Sequence, residues 1–157
     1  MLNSNRTAVI FISHIFSEYV LSFLMKIQTE TKHLPIDIFV AHIRRDNIVD
    51  NFDAVAWRTG IPRHQIIHFD METIVTYNHV FTEPVPYFVQ KNSGVGDYIS
   101  YVVLVSMREQ LFFYKYIWQL ENDVNFIGDF GRYITETDKI RNESLLFTNV
   151  IAPTIET

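Results

Sequence analysis

Few folds are open to a chain whose apolar patterning alternates between continuous runs and helical spacing, as this one does over residues 8–69. Ala8-Val9-Ile10-Phe11-Ile12 is an unbroken apolar run, the mark of a strand buried on both faces. It stops at Ser13-His14. Ser17 is placed to cap a helix, and Val20, Leu21, Phe23, Leu24 and Ile27 then recur at helical spacing. Pro35 ends the connection, and residues 36–41 read as a second strand. Asn47 is the expected cap of a helix with Ile48, Val49, Phe52, Val55 and Ala56 on one face, and Gly60 followed by Pro62 is a stop signal. Residues 65–69 make a short third strand ending at Asp70. The rhythm is β-α-β-α-β, which predicts an α/β protein with a mostly parallel central sheet flanked by helices.

The 157 residues are enough for a single domain, 1–157, with a sizeable core. A net charge of −5 and a pI near 5.6 argue against a nucleic-acid partner, which needs a basic face. An anionic ligand therefore needs a local metal or a few placed cations. There are no cysteines, which excludes disulfides and thiolate zinc sites. The apolar runs at 8–12 and 98–107 are too short for a signal sequence or a membrane span. The expectation is a soluble, cytoplasmic protein.

Patterning weakens over residues 71–97, where Pro84, Pro86, Gly94 and Gly96 punctuate the chain. Residues 97–115 read as a largely buried helix and 116–120 as a strand. A short helix is expected over 129–135 and a further strand over 145–150. Tyr98, Tyr101, Phe112, Phe113 and Tyr114 read as core and flanking packing. Gly-x-Ser-x-Gly, Walker and Gly-x-Gly-x-x-Gly motifs are absent, and His42, His64, His68 and His79 show no metal-ligand spacing.

Chemistry concentrates at Trp118-Gln119-Leu120-Glu121-Asn122-Asp123-Val124-Asn125-Phe126-Ile127-Gly128. An apolar run ends in two acids spaced i, i+2. In extended backbone such residues face one side, so Glu121 and Asp123 are expected to project together from a strand end. Two carboxylates there suit Mg²⁺ or Mn²⁺ holding a diphosphate. The plain alternative is an acidic turn after a strand. The same tripeptide pattern recurs at Glu136-Thr137-Asp138, beside Lys139 and Arg141, and reads there as a solvated face. Trp118 and Leu120 are expected to be largely buried on a central strand.

With this motif after the fourth strand, the chain resembles the nucleotide-sugar half of GT-A glycosyltransferases, a Rossmann-like fold. The opening strand, the β-α-β order and the Trp-x-x-Glu-x-Asp-Val segment carry the resemblance over residues 8–130. It implies a metal-dependent glycosyltransferase moving a sugar from a nucleoside-diphosphate sugar to a glycan, protein or small-molecule acceptor. The implied cofactor is Mn²⁺ or Mg²⁺. Asp123 would hold the metal, and Glu121 would reach it through water or bond the ribose. Ser13 and His14 would lie where the nucleotide is received, Arg44 and Asp46 near the base or ribose, and Lys91 and Asp97 near the sugar. Each has an ordinary reading too: a strand-end histidine, a solvated Arg44-Arg45 pair, a surface lysine, and an N-cap for Asp97.

Such enzymes usually continue well past the acid-x-Asp into an acceptor half, whereas here only residues 124–157 follow, with Asp129 and Glu143 as candidate bases. The expectation is a donor-binding domain truncated on the acceptor side, with an apolar patch favouring a homo-oligomer. Two alternatives stay open. One is a non-catalytic nucleotide- or protein-binding module derived from such a fold. The other is a different metal-dependent enzyme such as a nucleotidyltransferase.

Overall fold

The computed structural model describes residues 4–43, 51–69 and 96–140. Strand β1 (Ser4–Ser13) leads to helix α1 (Glu18–Thr31) and strand β2 (Ile36–Ile43). Helix α2 (Phe52–Thr59), a 3₁₀ turn (Arg63–Gln65) and strand β3 (Ile66–Phe69) follow. Helix α3 (Gly96–Ser106) and a single helical turn α4 (Arg108–Leu111) precede strand β4 (Tyr114–Glu121), and helix α5 (Phe130–Ile140) comes last. Among the described residues the strands form one all-parallel sheet in the order β3-β2-β1-β4.

The local signals explain the first elements. Ser17 Oγ accepts from Val20 N (3.3 Å), satisfying one of the free donors of α1. Val20, Leu21, Phe23, Leu24 and Ile27 are all buried, as their spacing predicts. Gly60 ends α2 in the left-handed region (φ 74°), with its N–H on Ala56 O. The cap of α2 differs from expectation. Asn51, not Asn47, accepts from Ala54 N (3.1 Å), and the helix starts at Phe52. Asn47, Ile48 and Val49 lie outside the described residues, as do the expected strand at 145–150 and the whole of 70–95.

Two apolar layers sandwich the sheet. On one face Val9, Phe11, Ile36, Ile38 and Val40 pack with α1, with Val55 of α2 and with Phe130 and Ile134 of α5. On the other, Ala8, Ile10, Phe39 and Ala41 pack with Ile99, Val102 and Val103 of α3 and with Met107 and Leu111. Alternation along β1 and β2 sends neighbouring side chains to opposite layers, which is why both strands read as continuous apolar runs.

Helix α5 extends further than residues 129–135 and takes in the second acid-x-Asp. Glu136 and Lys139 are exposed, as a solvated face requires, but Asp138 is not part of it. Asp138 Oδ2 accepts from Thr7 Oγ1 (2.5 Å) and Oδ1 from Trp118 Nε1 (2.9 Å), so one carboxylate ties α5 to β1 and β4. The bond also satisfies the indole N–H of the half-buried Trp118. β4 is the outermost strand of the described sheet rather than a central one, and Trp118 and Leu120 are partly covered rather than enclosed. Helix α5 itself sits close on α1. A Cβ added at Gly131 would stand 2.6 Å from Glu30 O and 2.7 Å from Leu34 Cδ1.

The aromatic run before β4 divides. Tyr114 packs edge-on against Phe39, while Phe112 and Phe113 are exposed and meet each other edge-on, flanking the layers rather than filling them. They occupy the turn between α4 and β4, outside both layers. Among the described residues no helix is long and apolar enough to cross a membrane.

Candidate functional site

The strand order creates one special place. From β1 the chain winds outward through β2 to β3, then crosses to the opposite side of β1 to lay down β4. The winding direction reverses between β1 and β4. In open parallel sheets the crevice at the carboxyl ends of two such strands is where ligands bind, because the loops leaving them part to opposite sides. Residue Ile12 pairs with Glu121 in register, so Ser13-His14 and Glu121-Asn122-Asp123 leave the sheet side by side at this reversal.

Each flank of the crevice is shaped by local bonding. Ser13 is buried, and its Oγ donates to Ile15 O (2.6 Å) and accepts from Ile15 N (3.2 Å). Its hydroxyl closes the turn into α1, and His14 is left exposed at the rim. On the other flank β4 ends at Glu121. Asn122 and Asp123 form a turn closed by Val124 N on Glu121 O (3.1 Å). The alternation expected to align the two acids therefore stops one step short: Glu121 is a strand residue and Asp123 a turn residue. Both are exposed. The loop beyond is held to α1 by Lys26, whose Nζ donates to Gly128 O (2.5 Å) and to Glu30 (2.8 Å) and lies 5.7 Å from the centre of the Phe126 ring. Glu30 Oε2 in turn accepts from Phe130 N (2.8 Å), the first residue of α5. Asp129, a candidate base in the sequence, caps α5 by accepting from Arg132 N (2.9 Å).

Of the other expected contacts, Arg44, Asp46, Lys91 and Glu143 lie outside the described residues. Asp97 is the second residue of α3, inside its first turn rather than at its cap. The donors at hand are the carboxylates of Glu121 and Asp123, hard oxygens of the type Mg²⁺ and Mn²⁺ accept when phosphates and water complete the shell. Among the described residues no group of three or more histidines and acids is placed to hold an ion alone. A cation in this crevice would thus depend on its ligand's own oxygens.

A second feature of the same edge escaped the sequence. His42 and His68 meet across β2 and β3, in register, with Nδ1 to Nδ1 at 3.3 Å. Phe16 stacks on His42 and Phe52 touches both rings. The two histidines are far apart in the chain, so no local spacing announces them; only strand register does.

The marked titration shift belongs to the opposite, amino edge. Burial, then the hydrogen bond to Asp37, pushes Tyr114 up to about 12. Burial pushes the Asp37 carboxyl up, but hydrogen bonds from Arg6 and Tyr114 and the Arg6 charge outweigh it and leave the group below its ordinary value. Arg6 Nε and Nη2 bond Asp37 at 2.9 and 2.7 Å, and Tyr114 Oη donates to it at 2.8 Å. This network joins the starts of β1, β2 and β4 and is structural.

No family model matches the chain, and neither a curated protein nor a solved structure matches it.

Proposed function

We propose that the chain is a GT-A-like, metal-dependent glycosyltransferase domain that binds a nucleoside-diphosphate sugar at the β1–β4 crevice. The observation that supports this most is the juxtaposition at the winding reversal: the Ser13-His14 turn stands beside the acidic turn Glu121-Asn122-Asp123. A diphosphate needs positive charge, and an acidic edge supplies it through a divalent cation. Asp123 and Glu121 would hold Mn²⁺ or Mg²⁺, which when bound supplies Lewis-acid stabilisation of the departing diphosphate.

The chain's own groups do the rest. The Ser13 hydroxyl holds the β1–α1 turn in shape, so that the ligand meets a fixed backbone. His14, exposed at the rim, offers one ring nitrogen as donor and the other as acceptor, suited to a ribose or base. The Lys26–Gly128 bond and the Glu30–Phe130 bond fix the loop after Asp123, which limits how far the acidic turn can swing.

Calorimetry with a nucleoside diphosphate tests the reading. Binding is expected to require Mn²⁺ or Mg²⁺, to vanish in chelator, and to weaken at least about tenfold in Asp123→Asn, the scale of one lost charge-assisted contact. Because Asp123 is an exposed turn residue, the variant is expected to keep wild-type stability. Equal binding by both proteins would overturn the site. Metal-dependent binding without turnover of any nucleotide sugar would point instead to a non-catalytic module. Turnover of nucleoside triphosphates would point to a nucleotidyltransferase.

A further inference from the structure

The geometry points to a second metal site, for a borderline transition ion such as Zn²⁺ or Ni²⁺, held by Nδ1 of His42 and Nδ1 of His68. These donors belong to neighbouring strands and differ in class from the carboxylates of the β1–β4 crevice. The β2–β3 pair is separated from β4 by β1, so the two places lie roughly 10 Å apart at ordinary strand spacing.

Three observations carry the assignment. The nitrogens stand 3.3 Å apart. Two imidazole donors at 2.0–2.1 Å from a tetrahedral ion are separated by about 3.3–3.4 Å, so the pair already has the bite of a chelate. The rings are also preorganised. His42 is 2% exposed and lies between Phe16, stacked at 4.9 Å and 15°, and Phe52, edge-on at 5.2 Å. Its position costs little further entropy when an ion arrives. Finally, His68 is exposed, so the site opens to water on one side, which leaves room for solvent ligands.

At present one ring must carry a proton on Nδ1 and donate it to the other, since two bare nitrogens at this distance repel. Only the exposed His68 ring can exchange that proton with water, so His68 is the ring that carries it, and on binding the proton moves through solvent to His68 Nε2. Both rings stay neutral, each presents an Nδ1 lone pair, and no net proton is released. With two protein donors and open coordination positions, the site suits an exchangeable ion rather than a structural one.

Titration of the full chain with Zn²⁺ alone and with Ni²⁺ alone, without nucleotide, tests this. One saturable ion per chain is expected. His68→Asn should weaken it at least about tenfold, since the side chain is exposed and its loss leaves the fold intact. His64→Asn and His33→Asn, exposed histidines elsewhere on the surface, should leave the affinity within about twofold. Co²⁺ should give a visible band of tetrahedral type that is lost in His68→Asn. The assignment is overturned if His68→Asn binds as wild type, if the control substitutions carry the affinity, or if the wild-type chain takes up no ion.

Discussion

Asp138 shows how much one side chain can organise. Its two oxygens receive a hydroxyl from β1 and an indole N–H from β4, from a helix lying over both. Hydrogen bonds to a charged group contribute about 1.5–3 kcal/mol, and removing the acceptor also leaves Thr7, which is buried, without that partner. Asp138→Ala is expected to lower stability by about 2 kcal/mol in urea denaturation, whereas Asp123→Ala should change it by less than about 0.5 kcal/mol. Tyr114 gives a residue-scale prediction of a different kind. Its phenol titrates at about 12 in the folded chain, against about 10 when unfolded. A raised folded value stabilises fully below the unfolded one and is lost as pH climbs through the folded one. Stability should therefore fall between about pH 10 and 12, and Tyr114→Phe should flatten that part of the profile. For Asp37, depressed in the folded state, the loss comes on the acid side, as pH drops below the ordinary carboxylate value.

At the scale of elements, the contact between α1 and α5 is decided by an absent side chain. Glycine inside a helix ordinarily costs about 1 kcal/mol relative to alanine, so Gly131→Ala should stabilise α5 on propensity alone. Here the new methyl would meet the Glu30 carbonyl, which is backbone and cannot swing away. Net destabilisation of about 1–3 kcal/mol is expected, as for overpacked cores, and chemical denaturation would register it. The same contact delivers Glu30 to the start of α5 and Lys26 to the loop after Asp123. A shift of α5 should therefore also loosen the acidic turn, so Gly131→Ala is expected to weaken metal-dependent diphosphate binding as well.

For the whole molecule, the order β3-β2-β1-β4 puts β1 at the heart of the sheet and β4 at its margin among the described residues. Ile117 on β4 and the adjacent Phe112 and Phe113 are exposed, so apolar surface gathers at that margin. Margins of this kind invite pairing between chains. Light scattering is expected to show association that grows with concentration, and Ile117→Lys should suppress it. A strictly monomeric wild type at high concentration would contradict the expectation.

Much of this architecture was legible residue by residue. The run from Ala8 to Ile12, the Ser17 cap, the spacing from Val20 to Ile27 and the stop at Gly60 are local signals, and local sterics and hydrogen bonding are sufficient to read them. Such signals determined the elements and the parallel α/β class. They did not determine strand order or register, which depend on contacts between residues far apart in the chain. Register is what sets Glu121 beside Ile12 and His42 beside His68. Packing of α5 turned Asp138, a solvated acid by its polar neighbours, into a link between two strands. Periodicity likewise aligned Glu121 with Asp123 only by assuming an extended backbone, and the turn at Asn122 ended it. The sequence by itself determined the local elements because their causes lie within a few residues. The tertiary structure alone decided which side chains share the carboxyl edge, because that follows from how the strands pair.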